Sequence, residues 1–494
     1  MRTLLDLSCC ATALPALVLL VAAGVTATRA QQAPPPPEAP RPARIPKASD
    51  SALPNGLRVL HLEKPDVPLV TLQLMIRSGG EVDPPDKSGL AEMTASLLTK
   101  GTTTRSAPQI AQSVESLGGV LESGAGWDSS SVHINVMSDK VAPALEILAD
   151  VICRPAFSQD EVDRLRTQSL DELKVALNEP GMLASYVVGR VVFGGGPYGH
   201  PLSGTPESLV RIKRADIVAL HRKYYRPDNA MLVVAGRCSL DEIVGLAGKY
   251  FGSWPRPAAP LPAVSGGRDE ARTPLRAVAM DMPKAGQAAV VVAGVGLRRT
   301  DPDYFRGLVA NSVLGGGYSA RLNEEIRIKR GLSYGAMSML DARRGPGPFI
   351  ATVQTKNESA AEVVSLIMNE LRRLGNEAVP AAELGPRKAN LIGNFGRSLQ
   401  TTDGLVARIA SLALYGLSPE EINAYIGKVE SVTAGEVGQF AREHLQPERT
   451  SVVVAGDAAK FADSLRKDYP QLEVIAASRL SLEPDSLQKP KPKK

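Results

Sequence analysis

Met231-Leu232-Val233-Val234-Ala235-Gly236 and Ser451-Val452-Val453-Val454-Ala455-Gly456 are near-copies of one apolar strand, and Gly456 lies 220 residues after Gly236. A turn of one kind introduces each copy, Arg226-Pro227-Asp228-Asn229 in one case and Gln446-Pro447-Glu448-Arg449 in the other. The helix before each also keeps that spacing, Asp216-Ile217 against Glu436-Val437. A repeat this long is a whole domain rather than a solenoid unit. Each half runs strands, then helices, then a late strand. The expected fold is therefore α+β, two homologous domains, each a mostly antiparallel sheet backed by helices.

Local signals place the elements. Leu57–Leu62 and Leu69–Arg77 read as strands, the first after the turn Leu53-Pro54-Asn55-Gly56. Leu90, Met93 and Leu97 mark the apolar face of a helix that begins near Ser88. Ser106 is an N-cap with Pro108 in the first turn, and Val132, Ile134 and Val136 alternate as a half-buried strand. Lys140–Ile152, Ser158–Leu177, Asp216–Tyr225 and Asp241–Phe251 complete the helices of the first half.

The ends of the chain differ from its body. Residues 1–30 have a positive start at Arg2, an apolar run over Ala11–Val25 and small residues at Ala27 and Ala30, the pattern of a secretory signal peptide. The run is shorter than the ~20 residues that span a bilayer. Export to a periplasm, or full secretion, with no membrane attachment after cleavage, is the expectation. Residues 31–52 form a proline-rich extended leader, 53–255 the first domain, 256–275 a Pro/Gly linker and 276–475 the second domain. Residues 476–494 read as a basic disordered tail. The formal charge of +5 resides in these ends: Lys489, Lys491, Lys493 and Lys494 carry four, and residues 1–30 carry one. A neutral body gives no basis for nucleic-acid binding. Cys153 and Cys238, the two cysteines left after cleavage, permit one disulfide or two unpaired thiols.

Chemistry-bearing residues concentrate at Leu314–Tyr334. Gly315, Gly316 and Gly317 end one helical run, Arg321–Lys329 forms a second, and Gly331 stands where a left-handed C-cap is needed. Such a loop can offer backbone amides, an Arg fork and a Tyr hydroxyl to one peptide. No Gly-Lys-Ser/Thr follows the glycines, so they are not a phosphate loop, and no Gly-x-Ser-x-Gly occurs. None of His61, His133, His200, His221 and His444 pairs with another at helical ligand spacing, and His200 in Tyr198-Gly199-His200-Pro201 reads as packing.

With Ser319-x-Arg321-Leu322 and Arg330-Gly331-Leu332-x-Tyr334 around it, the Arg327/Tyr334 pair resembles the substrate-contacting Arg and Tyr of the pitrilysin/insulinase family of zinc peptidases. The resemblance extends from about Leu53 to Glu473. It implies that Arg327 and Tyr334 contact substrate and the developing oxyanion, and that the glycine loop touches substrate. The family's first half carries His-x-x-Glu-His between Gly-x-Ala and Lys-Gly-Thr, because two His on one helical face grip zinc while the Glu activates water. This chain keeps the frame, Gly89-Leu90-Ala91 and Lys100-Gly101-Thr102. Inside it, Glu92 and Ser96 replace the two His and Ala95 replaces the base. Glu172 is the best match to the family's third ligand and reads here as a relic or a solvated carboxylate. Glu92 with Glu172 would suit Mg²⁺ or Ca²⁺ rather than Zn²⁺.

The resemblance thus implies a non-catalytic subunit with no metal of its own. Peptide substrates and a homologous subunit carrying zinc would be its partners. The alternatives are a purely structural or peptide-binding subunit, and an autonomous hydrolase with an unrecognised metal site.

Overall fold

A computed structural model describes residues 45–262, 275–483 and 486–489. The signal-peptide reading and most of the leader and linker fall outside these residues. The strands of the first half are β1 (Ser49–Ala52), β2 (Arg58–Glu63), β3 (Leu69–Ile76), β4 (Val120–Ala125), β5 (Ser130–Met137) and β6 (Ala230–Gly236). Those of the second are β7 (Ala277–Asp281), β8 (Ala288–Val295), β9 (Ala336–Leu340), β10 (Pro348–Thr355), β11 (Thr450–Gly456) and β12 (Glu473–Ala476). The sheet orders are β1-β2-β6-β3-β5-β4 and β12-β7-β11-β8-β10-β9. Five strands match position for position. The sixth comes from the start of the chain in one sheet and from its end in the other. Pairing is mostly antiparallel, but β2–β6, β7–β11 and β7–β12 are parallel, so both sheets are mixed.

The central copies β6 and β11 are buried along their whole length, which explains their unbroken apolar sequence. Leu232 and Val234 join a core built from first-half helices. Met231, Val233 and Ala235 point the other way and share a core with Leu405, Val406, Ile409 and Ala413. Those four residues lie on the helix Thr402–Leu414 of the second half. The reciprocal arrangement covers the second sheet. Leu183, Ala184, Val187 and Val191, on the first-half helix Pro180–Phe193, pack against Val278, Val291 and Val453. Each sheet is therefore roofed by a helix from the other half. Thr71 pins one of these roofs, donating its hydroxyl to Thr402 Oγ1 at 2.8 Å and lying 2.9 Å from Asp403 Oδ1.

The described residues nearest each end are more ordered than their composition predicts. Ile45 is clamped by Asn423 through its amide (3.0 Å) and its carbonyl (3.1 Å), and Lys47 pairs with Glu420. The leader is thus structured from residue 45, not from 53. The expectation of a disordered tail from 476 fails for the described residues there. Leu480, Leu482 and Leu487 are buried against the Pro180–Phe193 helix, and Arg211 holds Glu483 by two 2.7 Å bonds. Cys153 and Cys238 are both free, so the disulfide alternative is not realised.

Candidate functional site

The helix Tyr304–Leu314 runs into Gly315, where a Cβ would stand 2.4 Å from the amide nitrogen of Ser338 in β9. Only glycine permits this approach. Gly315 O accepts that amide hydrogen at 3.0 Å, and Asn311 Nδ2 donates to Ser338 O at 3.2 Å. Buried Asn323 completes the brace. Its Oδ1 accepts from the Ala336 amide at 3.1 Å, and its Nδ2 donates to Tyr318 O. The outer edge of β9 is therefore satisfied at Ala336 and Ser338 by the chain itself, and no strand can add there without displacing these bonds.

The second helical run differs from the regular helix expected over Arg321–Lys329. Arg321–Asn323 is a single α turn, and Glu324–Ile328 widens into a π turn closed by Lys329 N–H to Glu324 O at 2.9 Å. Inserted turns of this kind recur at functional sites because they re-aim one side chain. Here the turn carries Arg327, whose guanidinium lies 4.8 Å from the centre of the Tyr318 ring. Gly331 adopts φ +64°, as its C-cap role requires. Ser333 then fixes the next bend by accepting from the Gly335 amide at 2.9 Å and donating to Gly335 O at 2.6 Å. Tyr334 projects from this bend and is 90% exposed. Gly316, Gly317, Tyr318 and Ser319 are also exposed. Among the described residues, the side chains of Arg327 and Tyr334 have no hydrogen-bond or ion-pair partner. Exposed Met337 and Met339 adjoin them on β9.

The first half holds the positions that the resemblance assigns to a metal site. Glu92, Ala95 and Ser96 sit on the helix Leu90–Leu97, beside β4. Ser96 Oγ donates to Glu92 Oε1 at 2.9 Å, and the Ala125 amide donates to Glu92 Oε2 at 2.8 Å. Ala95 is fully buried. Glu172 is exposed and accepts from Gln168 Nε2 at 2.9 Å, one turn back on its own helix. Zinc needs several convergent imidazole, thiolate or carboxylate ligands. A carboxylate with both oxygens engaged, a hydroxyl and a methyl group do not fit it. Among the described residues, the one trio of potential ligands close enough to share an ion is Asp303, Glu443 and His444. It lies in the second half and includes neither Glu92 nor Glu172.

A polar cluster between the halves has no sequence motif. Asp128 accepts from Tyr198 Oη (2.6 Å), the Arg344 amide (2.8 Å) and Tyr415 Oη (3.1 Å). Arg344 Nη1 donates to Glu81 Oε1 at 2.7 Å, and the Arg343 guanidinium lies 4.5 Å from the Trp127 ring centre and 4.8 Å from that of Tyr198. Burial pushes the Glu81 carboxyl up to about 7, although Arg344 opposes the shift. His200 is buried beside Trp127 with Pro201 O and Gly80 O each 3.1 Å from a ring nitrogen, and burial lowers its pKa. It is a packing residue, as its loop suggested.

Residues 58–205 match the family model described as insulinase (peptidase family M16), and residues 211–391 match the peptidase M16 inactive domain. The chain belongs to the insulinase (M16) peptidase family. M16 relatives include an uncharacterized zinc protease of Streptomyces coelicolor, 27% identical, covering 82% of this chain and 89% of the relative. Another, from Mycobacterium tuberculosis, is 28% identical over 82% of this chain and 92% of the relative. Among solved structures, the peptidase M16 inactive domain from Pseudomonas fluorescens superposes with a TM-score of 0.78 at 27% identity, covering 83% of this chain and 98% of that one. A Helicobacter pylori protease shares the fold with a TM-score of 0.79 at 19% identity, covering 84% and 100%. The M16 matches thus extend into both halves of the chain.

Proposed function

We propose that this chain is the non-catalytic subunit of an exported two-subunit M16 peptidase. It binds the peptide and stabilises the oxyanion, and a homologous partner supplies zinc and the water-activating base. One contrast carries the reading: Glu92 is turned inward onto Ser96 and Ala125, while Tyr334 is turned outward with its hydroxyl free. A structural role alone gives no reason to hold Tyr334 in solvent on a bend fixed by Ser333. Arg327, aimed by the π turn, would hold a substrate carbonyl, and Tyr334 would donate to the oxygen that becomes negative. Exposed Met337, Met339 and Tyr318 supply an apolar surface around this pair on which a partner can dock.

The test is co-expression with M16 homologues that carry an intact His-x-x-Glu-His, followed by an assay of peptide cleavage. Activity that requires both chains supports the reading. Enzyme-like turnover by this chain alone, or full activity of the pair with Tyr334→Phe, overturns it.

A further inference from the structure

The exposed loop Gly316–Ser319 has donors without acceptors. Among the described residues, the amides of Gly317, Tyr318 and Ser319 donate to no protein group. Arg387, on the helix Ala381–Ser398, reaches across this loop. Its Nη1 donates to Ser319 Oγ at 3.0 Å and its Nη2 to Ser319 O. Nη1 lies 4.0 Å from where a Gly317 Cβ would be, so the glycine leaves the guanidinium open on that side. Arg387 Nε is buried and without a partner.

Charge balance sharpens the point. Arg387 forms no ion pair among the described residues. The nearby carboxylate, Glu383, is occupied by the two-pronged grip of Arg321, at 2.9 and 2.8 Å. On the other flank of the loop, Arg327 has only the face of Tyr318. Two guanidinium groups without carboxylates thus border a loop of unpaired amides. Of the two acids that follow the loop, Glu325 is neutralised by Lys329 and Arg330, while Glu324 forms no ion pair among the described residues.

We infer that Arg387 and the Gly317–Ser319 amides form a subsite for a carboxylate of the bound peptide. A planar carboxylate matches such a fork of N–H donors, and charge-assisted bonds of this type are the stronger ones. Burial disfavours the charged form of Arg387, with Glu383 opposing and Arg321 adding to the effect, and an arriving anion would relieve that penalty. The subsite deepens the peptide-binding reading and rests on it. A side-chain carboxylate and a free C-terminus share this chemistry.

The experiment uses the full chain after signal removal and fluorescence anisotropy at low salt. Three labelled Ser/Ala peptides of equal length serve as probes: one amidated and neutral, one amidated with an internal Glu, and one neutral with a free C-terminus. At least one acidic probe should bind about tenfold more tightly than the neutral one, and the probe that does so identifies the source. Arg387→Gln should reduce that ratio to about one, while Lys388→Gln on the same helix should retain it. Thermal melts verify that both variants are folded. Binding of all three probes without preference, or a preference that survives Arg387→Gln, overturns the subsite alone. Failure of every probe to bind overturns the peptide-binding reading and the subsite with it.

Discussion

Glu92 Oε2 accepts the amide hydrogen of Ala125 at 2.8 Å, so the carboxylate at the position the resemblance assigns to a metal ligand is spent on the edge of a strand. Its other oxygen is spent on Ser96. The purified chain is therefore expected to carry far less than one zinc per molecule by elemental analysis. Glu92→Ala should leave metal content unchanged and cost about 1–2 kcal/mol in denaturant unfolding, because the Ala125 amide loses its acceptor.

Tyr334 contributes almost nothing to the folded core. Tyr334→Phe should leave the unfolding midpoint unchanged, within about 0.5 kcal/mol. In the reconstituted pair it should reduce kcat on the order of 10²–10³, the usual cost of one oxyanion donor. A Phe variant equally impaired in folding would show that the hydroxyl is structural instead.

Glu81 makes the contact between the halves pH-dependent. Its carboxyl titrates near 7 in the folded chain against an ordinary 4.5, so the folded state binds the proton more tightly. The associated stability is fully present below pH 4.5 and is lost as pH rises through 7. Wild type should lose on the order of 2–3 kcal/mol across that window relative to its own value at low pH. Glu81→Gln should flatten this part of the profile in urea titrations at pH 5 and pH 8.

The exchanged roof helices predict cooperative unfolding. Ile409→Ala on one and Val187→Ala on the other remove fully buried side chains, with expected losses of about 2–4 and 1–3 kcal/mol. Because each helix stabilises the opposite sheet, a single transition should move in both variants. Separate transitions for the two halves in calorimetry would contradict the packing.

Much of the architecture was legible because the repeat at Met231 and Ser451 announces two equal units. The helix caps at Ser106 and Gly331 lie where their residue types require. The Pro180–Phe193 helix escaped notice because it is apolar nearly all round, and such a segment displays no face. The tail misled for the opposite reason. Leu480, Leu482 and Leu487 are sparse apolar residues in a Ser/Pro/Lys background, and only the neighbouring helix gives them a core. At the candidate site, the spacing of Arg327 and Tyr334 was readable, but the π turn was not. The grip of Arg387 on Ser319, and that of Arg344 on Glu81, join segments 68 and 263 residues apart, beyond any local pattern.

The crossed roofs also decide where a doorway can open. Swinging the two halves apart would strip Val233 and Val453 of their covers at once, exposing apolar strands to water on both sides. The two described halves are thus held together as one body. On the proposed two-subunit reading, a gap that admits a peptide opens along the outer face, and peptide entry would be governed by the rate at which two chains part.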